Sequence, residues 1–109
     1  MRKYLVVLFA LSALAACSTV NIGRDFDLQT FASKVEHGKT TQTQVRGWLG
    51  APTSSGIVVD SSGDRMEEWT YYYGGGRLPN MPDAHLKLLQ IKFDRQGVVR
   101  GYNWSGDNK

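Results

Sequence analysis

The sequence predicts an α+β domain: two short helices packed on one face of an antiparallel sheet of three to four strands. Three observations predict it. Two stretches between Leu28 and Leu49 repeat apolar residues at helical spacing, each with its own start and stop residues. From Thr53 the period changes to two, with β-branched and aromatic residues separated by Gly, Asp and Ser turns. The helical stretches come first and the strand-like ones after. That order segregates the helices to one side of a sheet instead of interleaving them as βαβ units.

At the start of the chain, Met1-Arg2-Lys3 is basic, Tyr4 to Ala13 is apolar apart from Ser12, and small residues follow at Ala15 and Ala16. Basic, apolar and small regions in that order read as a secretory signal over residues 1–16. The apolar run is too short for a permanent span, which takes about 20 residues. Leu14-Ala15-Ala16-Cys17 resembles the lipobox of bacterial lipoprotein precursors. The resemblance implies that Cys17 receives a diacylglyceryl group, that the chain is cut before it, and that the freed amine is acylated. The alternative is a plain signal peptide cut at Ala16, leaving a free thiol. Cys17 is the only cysteine, so it closes no disulfide within the chain, and an odd cysteine in an exported protein calls for another role. One acyl chain holds a protein only marginally, at about 0.8 kcal/mol per buried methylene, whereas several anchor it lastingly. Ser18 stands where such lipoproteins carry Asp when retained in the inner membrane, which implies the outer membrane.

Residues 17–109 suffice for one small domain. Arg2 and Lys3 supply two of the 13 basic residues, so eleven remain against 10 acidic ones and the charge falls from +3 to +1. With no basic stripe interleaved with aromatics, nucleic acid is excluded as a partner.

Residues 17–26, polar with one glycine from Ser18 to Asp25, suit a lipidated tether, and the domain proper spans 27–105. Asp27 caps a helix from Leu28 to about Val35, with Leu28, Phe31 and Val35 on its inner face. His37-Gly38-Lys39 stops it. Thr41 and Gln44 have capping-box spacing and open a second helix, whose apolar stripe is Val45, Trp48 and Leu49. Gly50 closes that helix and Pro52 prevents its continuation. Gly47 costs about 1 kcal/mol against Ala inside a helix and is expected to mark close packing.

Ile57-Val58-Val59, the turn Asp60 to Asp64, and Met66 to Tyr73 form a hairpin. Its second strand places Trp69, Tyr71 and Tyr73 on one face, Glu68, Thr70 and Tyr72 on the other. Gly74 to Ala84 reads as a Gly/Pro-rich loop. A third strand runs from about His85 to Asp94 with Leu89, Ile91 and Phe93 inward. After a turn or kink at Asp94 to Gly97, Val98 to Trp104 is a continuing or fourth strand, and the tail from Ser105 frays.

These residues offer no catalytic constellation, no metal site and no cofactor site, so the expectation is a protein that is not an enzyme. His37 and His85, the two histidines, lie at element ends without the partners of a triad or the spacing of a metal site. Glu67 and Glu68 point to opposite faces of a strand and do not converge as a carboxylate pair. Gly74-Gly75-Gly76-Arg77 lacks a following helix whose N-terminus would receive a phosphate. The candidate partner contacts are Tyr72, an aromatic on the outward face, and Arg77, Leu78 and Met81 of the loop.

Gly38, Thr40 (or Thr41), Val45, Leu49, Gly50 and Pro52, followed by Trp69 and Tyr71 and then by Leu89, Ile91, Phe93, Gly97 and Val98, resemble the ordered pattern of the SmpA/OmlA family. With the lipobox, the resemblance covers nearly the whole precursor. It implies an outer-membrane lipoprotein facing the periplasm, an accessory of the β-barrel assembly machine with that machine's subunits as partners and phospholipid as a possible contact. Two other roles fit such a fold: an osmotic or envelope-stress lipoprotein outside the machine, and a periplasmic inhibitor or ligand-binding module.

Overall fold

The computed structural model describes residues 19–106; Cys17 and the residues before it lie outside that range. The elements in chain order are β1 (Thr19–Gly23), α1 (Leu28–Lys34), α2 (Gln42–Leu49), β2 (Ser54–Val59), β3 (Arg65–Arg77), β4 (His85–Phe93) and β5 (Val99–Gly106). The architecture is α+β, with two helices and an antiparallel sheet of five strands.

Both helices begin where their caps dictate. The Asp27 carboxylate accepts from the backbone N–H of Thr30 at 3.0 Å. Thr41 and Gln44 cap each other's backbone at the start of α2. At the other end of α2, Gly50 takes φ 82°, a left-handed value that glycine adopts without a Cβ penalty. Leu28, Phe31 and Val45 carry the buried stripe of the helical layer, with Val35, Trp48 and Leu49 packed around it.

The 13-residue β3 is the spine of the sheet. One of its edges holds two strands end to end. β2 pairs with the first half, from Val59↔Arg65 to Ser54↔Thr70. β1 pairs with the second half, from Gly23↔Tyr73 to Thr19↔Arg77. The other edge pairs with β4, which pairs in turn with β5. Trp69, Tyr71, Leu89, Ile91, Phe93 and Val99 face the helices and close the core with Phe26. The turn between the helices is stitched to the start of β5: Gly38 N–H donates to Val99 O at 2.9 Å and Val99 N–H to Thr40 O at 2.8 Å. Tyr71 O–H donates to Gly50 O at 2.8 Å, tying the end of α2 to the spine. Burial pushes the Tyr71 hydroxyl up to about 12.

Four expectations are corrected. The stretch taken for a tether contains β1, so a strand precedes the two helices and the sheet has five strands, not three or four. The glycine triplet continues β3 to Arg77, which confines the loop to residues 78–84. The two corrections share one cause. A Cβ on Gly75 would stand 2.6 Å from Val20 O and 2.5 Å from Asn21 Oδ1, so β1 fits against β3 only because glycine is there. β5 is a separate strand that continues through Ser105 to Gly106, its end held opposite Lys87 on β4. Gly47 marks no close packing: nothing lies within 4 Å of where its Cβ would be.

Candidate interaction face

The pairing register divides the sheet into a face under the helices and an open face. On the open face lie the even-numbered residues of β3, with Val20 and Ile22 of β1 and Leu86 and Leu88 of β4. Ile22 and Leu86 flank Gly74 from its two sides. A Cβ there would meet Leu86 Cδ1 at 3.0 Å and Ile22 Cγ1 at 3.5 Å. Tyr72 stands opposite Leu88 in the next row. Met81 folds back over Gly76, its methyl 2.7 Å from where a Cβ would stand. Ile22 is 52% and Leu86 58% exposed, far more than a packed sheet residue, so this row is apolar surface that nothing among the described residues covers.

Further along the same face the character changes. Glu68 lies opposite Lys92 and Thr70 opposite Gln90 across β3 and β4, and Asn103 of β5 completes a polar half, with Val58 opposite Met66 at its far end and Ser105 opposite Leu88 at its near one. The apolar half lies at the end where β1 begins, next to the residue 78–84 loop. The polar half approaches the β2–β3 and β4–β5 turns.

The four sequence-predicted contact residues are gathered at the apolar end but differ in availability. Leu78 is exposed, while Tyr72 and Met81 are half-buried. Arg77 is exposed but occupied: its backbone N–H donates to Asp83 at 2.9 Å and its guanidinium to the same carboxylate at 3.2 Å. The Arg77 backbone bond, followed by the guanidinium, holds the Asp83 carboxyl below its usual range. Val20, Ile22 and Leu86 were missed by the sequence reading. Their signal was the alternation Val20-x-Ile22 and Leu86-x-Leu88, hidden by reading the first pair as tether and by following only Leu89, Ile91 and Phe93 along β4.

On the helix side, Lys87 is buried at the apolar end. Its ammonium bonds Asp25 at 2.6 Å and Phe26 O, and lies 4.8 Å from the Phe26 ring centroid. The Lys87 bond holds the Asp25 carboxyl below its usual range. This contact pins the chain between β1 and α1 to β4. At the β5 edge, Phe31 meets Tyr102 edge-on at 5.4 Å, and Tyr102 and Trp104 lie parallel at 6.0 Å. Both outer rings are part-exposed, at 37% and 41%, forming a second, smaller aromatic surface.

Several charged groups elsewhere are engaged in structure. Glu67 accepts from Trp69 Nε1 at 2.7 Å and Gln42 Nε2 at 3.0 Å, bonds that lower its pKa and fix α2 to the spine. A cleft of about 370 Å³ at the turn end is lined by Asp64, Arg65, Met66, Asp94, Arg95, Gln96 and Arg100. Its two carboxylates stand among three guanidinium groups, and Arg100 bonds Asp94 at 2.8 Å. His37 and His85 are both exposed; His37 Nε2 sits 2.9 Å from Arg100 O. Among the described residues, no three His, Cys, Asp or Glu side chains are grouped to hold a metal ion. No helix among them is long and apolar enough to cross a membrane. No protein-family model matches the chain, and no curated protein matches it.

Proposed function

We propose that this protein is a lipid-anchored, non-catalytic scaffold on the periplasmic side of the outer membrane, holding protein partners during β-barrel assembly. The observation that carries the reading is the placement of its exposed apolar side chains. They stand in separate places: Val20, Ile22, Leu78 and Leu86 at the end of the sheet where the chain emerges from the lipobox-like Leu14–Cys17, and Ile57, Val59, Tyr102 and Trp104 away from it, so the domain can meet the membrane and still present apolar surface to a partner. The SmpA/OmlA resemblance gains support from the joint that its pattern residues form. Gly38 and Thr40 are bonded to Val99, Tyr71 is bonded to Gly50, and Val45 is buried between them and the sheet.

Affinity purification of the tagged protein from detergent-solubilised membranes, with mass spectrometry of the eluate, tests the partner. Enrichment of β-barrel assembly subunits is the expected result. Recovery of the protein alone from the outer-membrane fraction removes the assembly role. Cys17→Ser is expected to leave an unprocessed or mislocalised protein, and normal processing and sedimentation of that variant refute the anchor.

A further inference from the structure

We infer that the apolar half of the open face, centred on Val20, Ile22 and Leu86, lies against the surface of the bilayer that holds the anchor. The inference rests on the lipidated Cys17 of the proposed function and adds the orientation of the domain.

The first argument is reach. β1 begins at Thr19, two residues after Cys17. An extended chain spans at most about 3.5 Å per residue, so the start of β1 lies within about 7 Å of the Cys17 Cα and about 10 Å of the acylated sulfur. A long tether would let the domain swing clear of the lipid; this link does not. The register fixes β1 along Tyr73 to Arg77 of the spine, so the strand carrying Val20 and Ile22 is held to the sheet at that short distance.

The second argument is the division of the face. Near the anchor its side chains are Val20, Ile22, Leu86, Leu88, Tyr72 and Met81. Ser105 lies opposite Leu88 at the margin of this group, and beyond it a polar band of Thr70, Gln90, Asn103, Glu68 and Lys92 separates it from the Val58–Met66 pair at the turn end. A protein partner covering the sheet has no reason to stop at that line. A lipid surface met at a tilt does, because only the end nearest the anchor enters the interface. Peripheral apolar groups settle about 5–10 Å into the headgroup and acyl boundary. The ammonium of Lys87 lies on the helix side and is bonded to Asp25, and Arg77 at the rim is paired with Asp83. The contact is therefore apolar, and it is expected to be insensitive to salt and to the fraction of anionic lipid.

The test uses the full lipidated protein, purified and reconstituted in vesicles of phosphatidylethanolamine and phosphatidylglycerol. Acylation blocks the Cys17 thiol, so an introduced cysteine is the only one open to an environment-sensitive fluorophore. Ile22→Cys and Leu86→Cys, on two different strands and both at exposed positions, probe the apolar half. Asn103→Cys and Ile57→Cys probe the polar half and the turn end. Quenching by spin-labelled lipid is expected to be several-fold stronger at residues 22 and 86 than at 103 and 57, unchanged by added salt. Equal quenching at all four positions, with the protein still held on the vesicles, overturns the orientation while leaving the anchor intact. Labels at 22 and 86 that are shielded from aqueous iodide yet not quenched from the lipid assign the patch to a protein contact and overturn it too. A Cys17 thiol that reacts with maleimide in protein that does not sediment with vesicles refutes the anchor itself, and the inference falls with it.

Discussion

Gly75→Ala is the substitution that separates β1 from the rest of the sheet. The added Cβ would stand 2.6 Å from Val20 O, a backbone atom that cannot rotate away, and 2.5 Å from Asn21 Oδ1. Forcing a methyl group into a packed contact costs about 1–3 kcal/mol. β1 can escape that cost because it is a five-residue edge strand, exposed along its whole length and paired only with β3. β4 and β5 pair on the other side of the spine and have no share in the clash. At about 1.4 kcal/mol per factor of ten, the opening equilibrium of β1 rises roughly 5- to 150-fold. Hydrogen exchange with mass spectrometry reads this directly. Peptides covering residues 19–26 are expected to lose protection by about that factor, and peptides covering β4 and β5 to keep theirs. Unchanged exchange in residues 19–26 would show that the strand shifts to accept the methyl. A uniform rise over the whole sheet would show that β1 is part of the global cooperative unit. Either result refutes the reasoning.

Gly47→Ala is expected to stabilise the domain by about 0.5–1 kcal/mol in urea unfolding, because the position is helical and open and only the entropy of glycine is removed. Thr41→Ala removes one half of the capping box and is expected to cost about 1 kcal/mol, read as a lower midpoint in a thermal melt followed by circular dichroism. Lys87→Met removes the bonds to Asp25 and Phe26 O and is expected to cost about 1.5–3 kcal/mol at neutral pH, the range for hydrogen bonds to charged groups. Its pH dependence has a definite sign. The Lys87 bond depresses the folded-state pKa of Asp25 below the ordinary 3.8, so its contribution is complete above that value and is lost as pH falls through the folded one. The difference in stability between wild type and Lys87→Met should therefore narrow on acidification below about pH 4. A constant difference from pH 7 to pH 2 would remove the ion pair from the account.

The helices and the middle of the sheet were legible because their signals are local. Asp27 with Thr30, Thr41 with Gln44 and the glycine at position 50 specify their caps within four residues. Trp69, Tyr71 and Tyr73 alternate strongly enough to assign a face without knowledge of any partner strand. β1 was illegible because what makes it a strand is remote. Thr19–Gly23 has two apolar residues and becomes ordered only by pairing with residues 73–77, more than 50 positions along the chain. Gly74, Gly75 and Gly76 were misread for the complementary reason: glycine has no side chain to alternate, so a strand built for close approach looks the same as a flexible loop. The interaction face was half legible for the same cause. Tyr72, Leu78 and Met81 lie in sequence near one another, while Val20, Ile22 and Leu86 join them only through the sheet register.

Incorporating β1 into the sheet changes what a lipid anchor can do. With residues 17–26 free, a domain on such a tether would sample every orientation, and the anchor would raise only its concentration at the surface. With Thr19–Gly23 paired to the spine and Lys87 pinning Asp25 and Phe26, only Ser18 separates Cys17 from a fixed strand in the sequence, so an acyl group on Cys17 would transmit position and direction together. A partner then meets a surface whose tilt is already set, and the ordering cost of binding is smaller by the orientations that the strand has removed. In the proposed orientation, the elements facing away from the lipid are the polar half of the open face, the Tyr102–Trp104 pair on the β5 edge and the two turns. Gly75 is what permits this: with a Cβ there, against Val20 O and Asn21 Oδ1, β1 loses its place on the spine and the anchor reverts to a tether.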